Sequence, residues 1–371
     1  ENLRNGIGSK ALPIKNNMKS NFIVSDYREI WINDCKNKFI IEPYIYEKLN
    51  DENLLNNFDN IKTVPYLRQN RKDLIDNADI VNKKYKQYYR LLSKGFNKIH
   101  NTDYKEIFWR KILGIFLIRY ITLLYEMYQS CDKHFNPDKF LFNILSKDSF
   151  IVPNTNEDFL HNFKHTHLGQ EQLFSIFIDT FYRGRENKQI TNFVHSSNKT
   201  GQNSTALKWD KLSLLYYLSN KSKITFNRLL RLILQKFRKP EVGIMGSHFR
   251  SQFLDELAVR SRGKINEINW ENFIPEYDVN NYNFEKRESL TKFLIKNNGS
   301  NDDFDRYFFS SIQYCLPKIY IENFQITYDH ITNQLQNYPK LRFVTSEAWI
   351  ADTFMSFSLA CMKNNGIQHI N

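Results

Sequence analysis

Two short apolar runs, each followed by a polar turn and an amphipathic stretch, constrain this chain more than any other feature. The first is Val242-Gly-Ile-Met-Gly246, with Ser247-His248-Phe249 as its turn and a helix predicted from about Ser251 to Arg260. The second is Leu341-Arg-Phe-Val-Thr345, where Ser346-Glu347 leads into a helix from about Ile350 to Met362. Asn364-Asn365-Gly366 closes that helix before a further strand at Ile367 to Ile370, and Gly263 caps the earlier one. Strands buried on both faces read as continuous apolar runs, and parallel neighbours need a helical return. The pattern therefore predicts an α/β protein with a Rossmann-like parallel sheet. Lys38-Phe-Ile-Ile-Glu42 is an earlier run of the same kind, ending in an acid.

Between these runs the periodicity is helical. Tyr88, Tyr89, Leu91, Leu92 and Phe96 recur at helical spacing, as do Ile107, Phe108, Ile112, Leu113, Phe116, Leu117, Tyr120 and Leu124. Asn101-Thr-Asp103 is the expected capping stretch between the two helices. Arg119 falls among apolar neighbours, so its guanidinium is expected to meet a carboxylate, a carbonyl or a ligand. Phe159 to Phe181, Leu207 to Phe237 and most of Phe308 to Gln336 also read as helix, while 183–205 reads as a mobile loop and 280–305 as polar and irregular. The expected division is a polar lead-in at 1–21 and one large α/β domain at 22–371, with helical segments at about 73–130 and 155–240.

Composition narrows the classes. The chain has 371 residues, and 41% hydrophobic content with 25% charged excludes a disordered chain. Twelve Gly, nine Pro and four Cys exclude collagen-like and disulfide-scaffold proteins. Lys and Arg number 52 against 40 Asp and Glu, a formal charge of +12. The cations scatter among acids, and Asn, Lys, Ile, Tyr and Phe are favoured together, as A/T-rich codons favour them. The excess therefore argues only weakly for a nucleic-acid groove, which needs cations clustered on one face. Cys35, Cys131, Cys315 and Cys361 form no CxxC pair and read as free thiols. Asn198-Lys-Thr and Asn203-Ser-Thr match the glycosylation acceptor pattern, as an Asn-rich chain does by chance. The run Ile112 to Tyr125 is too short to span a bilayer, and no secretory leader is legible at Glu1, which suggests a cytoplasmic protein and a fragment of a longer chain.

In a parallel sheet, ligands bind beyond the carboxyl ends of the strands, where helix starts present N–H groups. Three such ends carry polar residues here: Glu42, Ser247-His248 and Thr345-Ser346-Glu347. Were those strands neighbours, carboxylate and imidazole would converge as an acid/base site. No GxGxxG, GxxxxGK[ST] or GxSxG motif is present, which weighs against dehydrogenase, triphosphatase and lipase chemistry. His161, His165 and His167 lack the nearby Cys or acidic partners of a metal shell, so no metal site is expected.

Several separated segments resemble one family, the transferases of bacterial cell-surface carbohydrate biosynthesis of the leptospiral type. LLSKGFNKIHNTDYKEIFWRKILGIFLIRYITLLYEMY at 91–128 is similar to that family's run, with Asn97, His100, Trp109, Arg110, Gly114 and Tyr125 on its marked positions. LPKIYIENF at 316–324 matches at Pro317, Tyr320 and Glu322, and 338–366 resembles the family's strand, Ser/Asn turn and helix. KFIIEPYIY at 38–46 looks like its first strand. Asn101 stands where the family usually has Gly, and Ile115 where Pro is common.

The resemblance implies the N-terminal half of a GT-B-like glycosyltransferase. Its nucleotide-sugar domain would lie beyond this chain, which would supply the acceptor side. It implies a nucleotide sugar as co-substrate, no other cofactor, and a glycan or lipid-linked acceptor. The site would be cytoplasmic, free or at the inner face of the membrane. His248, Glu347 and Glu42 would be the catalytic acid/base residues; Ser247, Ser346, Thr345, His100, Arg110 and Glu322 would bind substrate. The competing expectation is a non-catalytic basic module that binds nucleic acid or an assembly partner.

Overall fold

The computed structural model describes residues 19–25, 30–32, 35, 37–41, 61–63, 71–164, 166–190, 226–246, 250–300, 302–346 and 352–370. The protein is mixed α/β with parallel sheets, as the apolar runs predict. Near the N-terminus, β1 (Ser20–Ile23), β2 (Lys38–Ile40) and β3 (Ile61–Thr63) precede two long helices, α1 (Arg71–His100) and α2 (Glu106–His134). Short strands β4 (Phe140–Leu141) and β5 (Asn143–Leu145) follow, then α3 (Asn156–Lys164), α4 (His167–Phe181) and β6 (Lys188–Ile190). The second half holds α5 (Phe226–Phe237), β7 (Val242–Met245), α6 (Ser251–Arg260) and β8 (Ile265–Ile268). It continues through α7 (Phe284–Asn297), α8 (Asp303–Cys315), α9 (Phe324–Leu335), β9 (Phe343–Ser346), α10 (Thr353–Asn364) and β10 (Gln368–Ile370).

The strands form two four-stranded parallel sheets, in the orders β3-β2-β1-β4 and β10-β9-β7-β8. This corrects one expectation: the strand that leads to Glu42 lies in a different sheet from β7 and β9. Most buried apolar side chains nevertheless share one continuous core, from Phe22 and Val24 through Trp109, Tyr120 and Phe324 to Met362, with a small second cluster at Ile30, Leu145 and Leu168.

The α1–α2 hairpin turns at Asn101, whose φ of +53° lies in the left-handed region that Gly enters freely and Asn more readily than most residues. Asn97 latches the turn. Its Oδ1 accepts from Trp109 Nε1 at 2.8 Å and its Nδ2 donates to the Tyr104 carbonyl at 2.9 Å. The expected capping stretch Asn101-Thr-Asp103 closes α1, where Thr102 N–H donates to the Asn97 carbonyl at 2.9 Å across left-handed Asn101, whereas α2 starts from Lys105 without a side-chain cap. Arg119 is also corrected: α2 keeps one narrow face to water, and Arg119 is exposed on it. Residues 280–305 are not irregular but hold α7, capped by Asn283 Oδ1 accepting from Lys286 N. Lys188–Ile190, expected in a loop, pairs with β5. All four cysteines are free, three of them buried. Among the described residues no helix is long and apolar enough to cross a membrane.

Candidate functional site at a sheet switch point

In the second sheet β7 and β9 are direct neighbours, with Met245 opposite Ser346. Their return helices lead apart: α6 carries the chain from β7 to β8 on one side, and α10 carries it from β9 to β10 on the other. Such a reversal opens a crevice beyond the carboxyl ends of the two central strands. Gly246 leaves β7 at φ +55°, a turn that a side chain would strain. Gly243 lets β8 pack close, since a Cβ there would stand 2.2 Å from Ile268 Cδ1. Ser247, His248 and Glu347, expected on the two loops beyond these strands, lie outside the described residues, as does Glu42.

Thr345 lies opposite Ile244 and Ile370 inside the ladder. Ser346, at the end of β9, has its Oγ 2.9 Å from His369 Nε2 on β10. Burial, and then the charge of Lys111, hold the His369 pKa below its ordinary value, so the ring is neutral at pH 7. The neutral ring and the Ser346 hydroxyl share this hydrogen bond, with the donor set by the imidazole tautomer.

The start of α10 carries a second polar group. Asp352 caps it, Oδ1 accepting from Met355 N at 2.8 Å. Glu157 bridges to Thr353, with Oε1 accepting from its N–H at 2.9 Å and Oε2 from its hydroxyl at 2.8 Å. Carboxylates suit this end because the helix dipole and unpaired N–H groups favour negative charge there. Burial raises the Asp352 pKa; the Met355 N–H opposes this, and the Glu157 charge adds to it. Nearby, Tyr277 is pushed up to about 12 by burial and by Asp158 and Glu157.

His100 connects to this group through the core. Its Nε2–H donates to the Tyr320 carbonyl at 2.9 Å, and the ring stacks on Phe324 at 4.3 Å. The Tyr320 hydroxyl donates to Asn156 Oδ1 at 2.6 Å, and Asn156 N donates to Thr353 Oγ1 at 2.9 Å. Burial lowers the His100 pKa to about 4, which leaves it neutral. Arg110 is exposed, its guanidinium 5.9 Å from the Tyr89 ring centre, and joins no part of this chain of bonds. Glu322 is fully engaged elsewhere: it receives Arg287 Nε at 2.7 Å, Arg287 Nη2 at 2.8 Å and Asn283 N at 2.9 Å. His161 is exposed on α3, and His167 opens α4. Among the described residues no three His, Cys, Asp or Glu side chains gather as metal ligands.

Thr345 and Ser346 are legible in the sequence as a strand end, whereas the contacts of His369, Asp352 and Glu157 beside them are not. Asp352-Thr353 carries only a capping signal, and Glu157 meets Thr353 across 196 residues.

These features define a Rossmann-like α/β protein with parallel sheets whose strand order reverses between β7 and β9. The family model described as LIC12162 family transferase matches residues 20–371, and the chain belongs to that family of transferases. No curated protein and no solved structure matches the chain.

Proposed function

We propose that the protein is a glycosyltransferase of surface-polysaccharide or glycoconjugate synthesis, moving a sugar from a nucleotide donor to an acceptor hydroxyl. The observation that carries this reading is the adjacency of β7 and β9, with their helices leading apart. It supports a crevice where the start of α6, which has no side-chain cap, can receive the donor's phosphates, the start of α10 being held by Asp352 and Glu157. His248 and Glu347 fall in sequence between β7 and α6 and between β9 and α10; one of them takes the proton of the attacking hydroxyl as the nucleotide leaves. Ser346, oriented by His369, hydrogen-bonds the substrate. Thr345 and Ser247 complete the strand ends, and His100 acts at a distance through Tyr320 and Asn156. Glu42, which follows the strand β2 of the other sheet in sequence, is not assigned to this crevice. The reaction needs no cofactor beyond the nucleotide sugar and proceeds in the cytoplasm, free or at the inner face of the membrane.

A nucleotide-sugar binding and turnover screen tests the reading, with His248→Ala and Glu347→Ala beside the unaltered protein. General acid–base groups contribute typically 10²–10⁴-fold. One variant should lose turnover on that scale while still binding donor. Full turnover in both removes the assignment.

A further inference from the structure

Helix α5 turns a mixed face to the protein and an apolar stripe to the outside. Half-buried Leu230 and Leu234 lie on the inward side, Leu234 against Gly263, beside polar contacts. Arg231 pairs with Asp255 at 2.9 Å and Glu267 at 2.8 Å, and Gln235 donates to Asn266 Oδ1 at 2.9 Å. Leu229, Leu232, Ile233 and Phe237, three and four residues apart, are 51%, 56%, 45% and 77% exposed. Amphipathic helices of globular proteins normally bury such a stripe, and a contiguous exposed one marks a contact surface.

The end of the stripe is ringed by cations. Lys236, Arg238 and Lys239 are exposed beside Phe237, and Arg238 Nη1 donates to the Arg262 carbonyl at 3.3 Å. That bond brings exposed Arg262 to the same end. Residues 226–268 contain nine Lys and Arg against four Asp and Glu. All four acids are occupied: Asp255 and Glu267 by Arg231, Glu256 by Arg260, and Glu241 by Lys264. Lys236, Arg238, Lys239 and Arg262 have no carboxylate partner among the described residues.

We infer that α5 docks the protein on a membrane surface rich in anionic lipid, its apolar stripe entering the headgroup boundary and its cations meeting lipid phosphates. Charge selects this occupant over two others. A second copy would set like charge against like. Residues 191–225 of the same chain contain five Lys and one Asp, and would repel the same cations. A nucleic acid offers phosphates but nothing to take up the apolar stripe.

Vesicle co-sedimentation of the full chain tests this, with phosphatidylcholine vesicles against vesicles enriched in phosphatidylglycerol. Binding is expected to the anionic vesicles alone and to weaken with salt. Lys236→Gln, Arg238→Gln and Lys239→Gln together should lower affinity ~100-fold, from the typical worth of a cation near an anionic surface. Leu232→Ser with Phe237→Ser should lower it ~10-fold or more with Tm unchanged. No binding by the unaltered protein overturns the inference, as does binding that survives loss of the stripe. A fall in Tm of the serine variant without vesicle binding would show the stripe covered by the chain itself. A dimer abolished by the serine changes would assign it to a second copy. Either result overturns the inference.

Discussion

Arg287 and Glu322 meet twice, Nε to Oε1 at 2.7 Å and Nη2 to Oε2 at 2.8 Å, with both side chains entirely withdrawn from water. The remaining guanidinium nitrogen, Nη1, donates to the Gln313 and Leu316 carbonyls, each at 2.9 Å. One ion pair thereby ties α7 to the end of α8 and to the turn before α9. Removing one partner of such a pair leaves a buried charge unmatched. Glu322→Ala should cost about 3–5 kcal/mol in urea denaturation. A stable variant with weakened ligand binding would instead assign Glu322 to substrate.

His100 makes stability fall in acid. Its folded pKa of about 4 lies below the ordinary 6.5, so between those values the unfolded chain binds more protons. Stability is therefore complete above pH 6.5 and is lost as pH falls toward 4, by roughly 2–3 kcal/mol from this ring. His134 and His369 are lowered in the same direction and add to the slope. His100→Phe, which keeps the stack on Phe324, should flatten the dependence in urea titrations from pH 4 to 7. An unchanged slope would contradict the assignment.

Asp352 behaves oppositely. Its folded pKa is raised, so its ionised form is disfavoured on folding, and stability falls as pH rises through the interval above the ordinary 3.8. Asn caps a helix as well as Asp does. Asp352→Asn should therefore be at least as stable as the unaltered protein at pH 7, with the advantage vanishing below pH 3.8. A clear loss at pH 7 would mean that the negative charge stabilises α10.

Gly243→Ala should destabilise by roughly 1–3 kcal/mol, the usual cost of overpacking, because the new methyl group collides with Ile268. Adding Ile268→Val removes the nearest atom, Cδ1, and should recover part of the loss in thermal denaturation. Strict additivity of the two changes would count against the clash.

The second sheet was legible because β7 and the first half of β9 are apolar and each strand is followed by a helix; α6 falls where the pattern put it, at Ser251–Arg260. Helix α7 was hidden for a physical reason. Its buried face is Arg287, Leu290 and Leu294, so a charged residue stands where the apolar spacing needed a hydrophobic one. Arg119 misled in the other direction, since apolar neighbours along a 29-residue helix do not say which face the solvent keeps. At the site, Ser346 was readable as a strand end. Its partner His369 and the Glu157–Thr353 bridge were not, because such contacts exist only once the chain has closed on itself.

The shared core also bears on how the protein is made. Helix α2 packs against α10, and His100 lies on Phe324, so the early hairpin finds part of its cover in residues made some two hundred positions later. Phe116 and Tyr120 meet Phe159 early, but the side of Trp109 that rests on Phe324 stays open until the ribosome has delivered that residue. Long-range closure of this kind is slow and leaves apolar surface exposed meanwhile. The nascent chain should thus depend on chaperone holding until late in translation, and stalling before residue 324 should yield aggregates rather than a folded N-terminal piece.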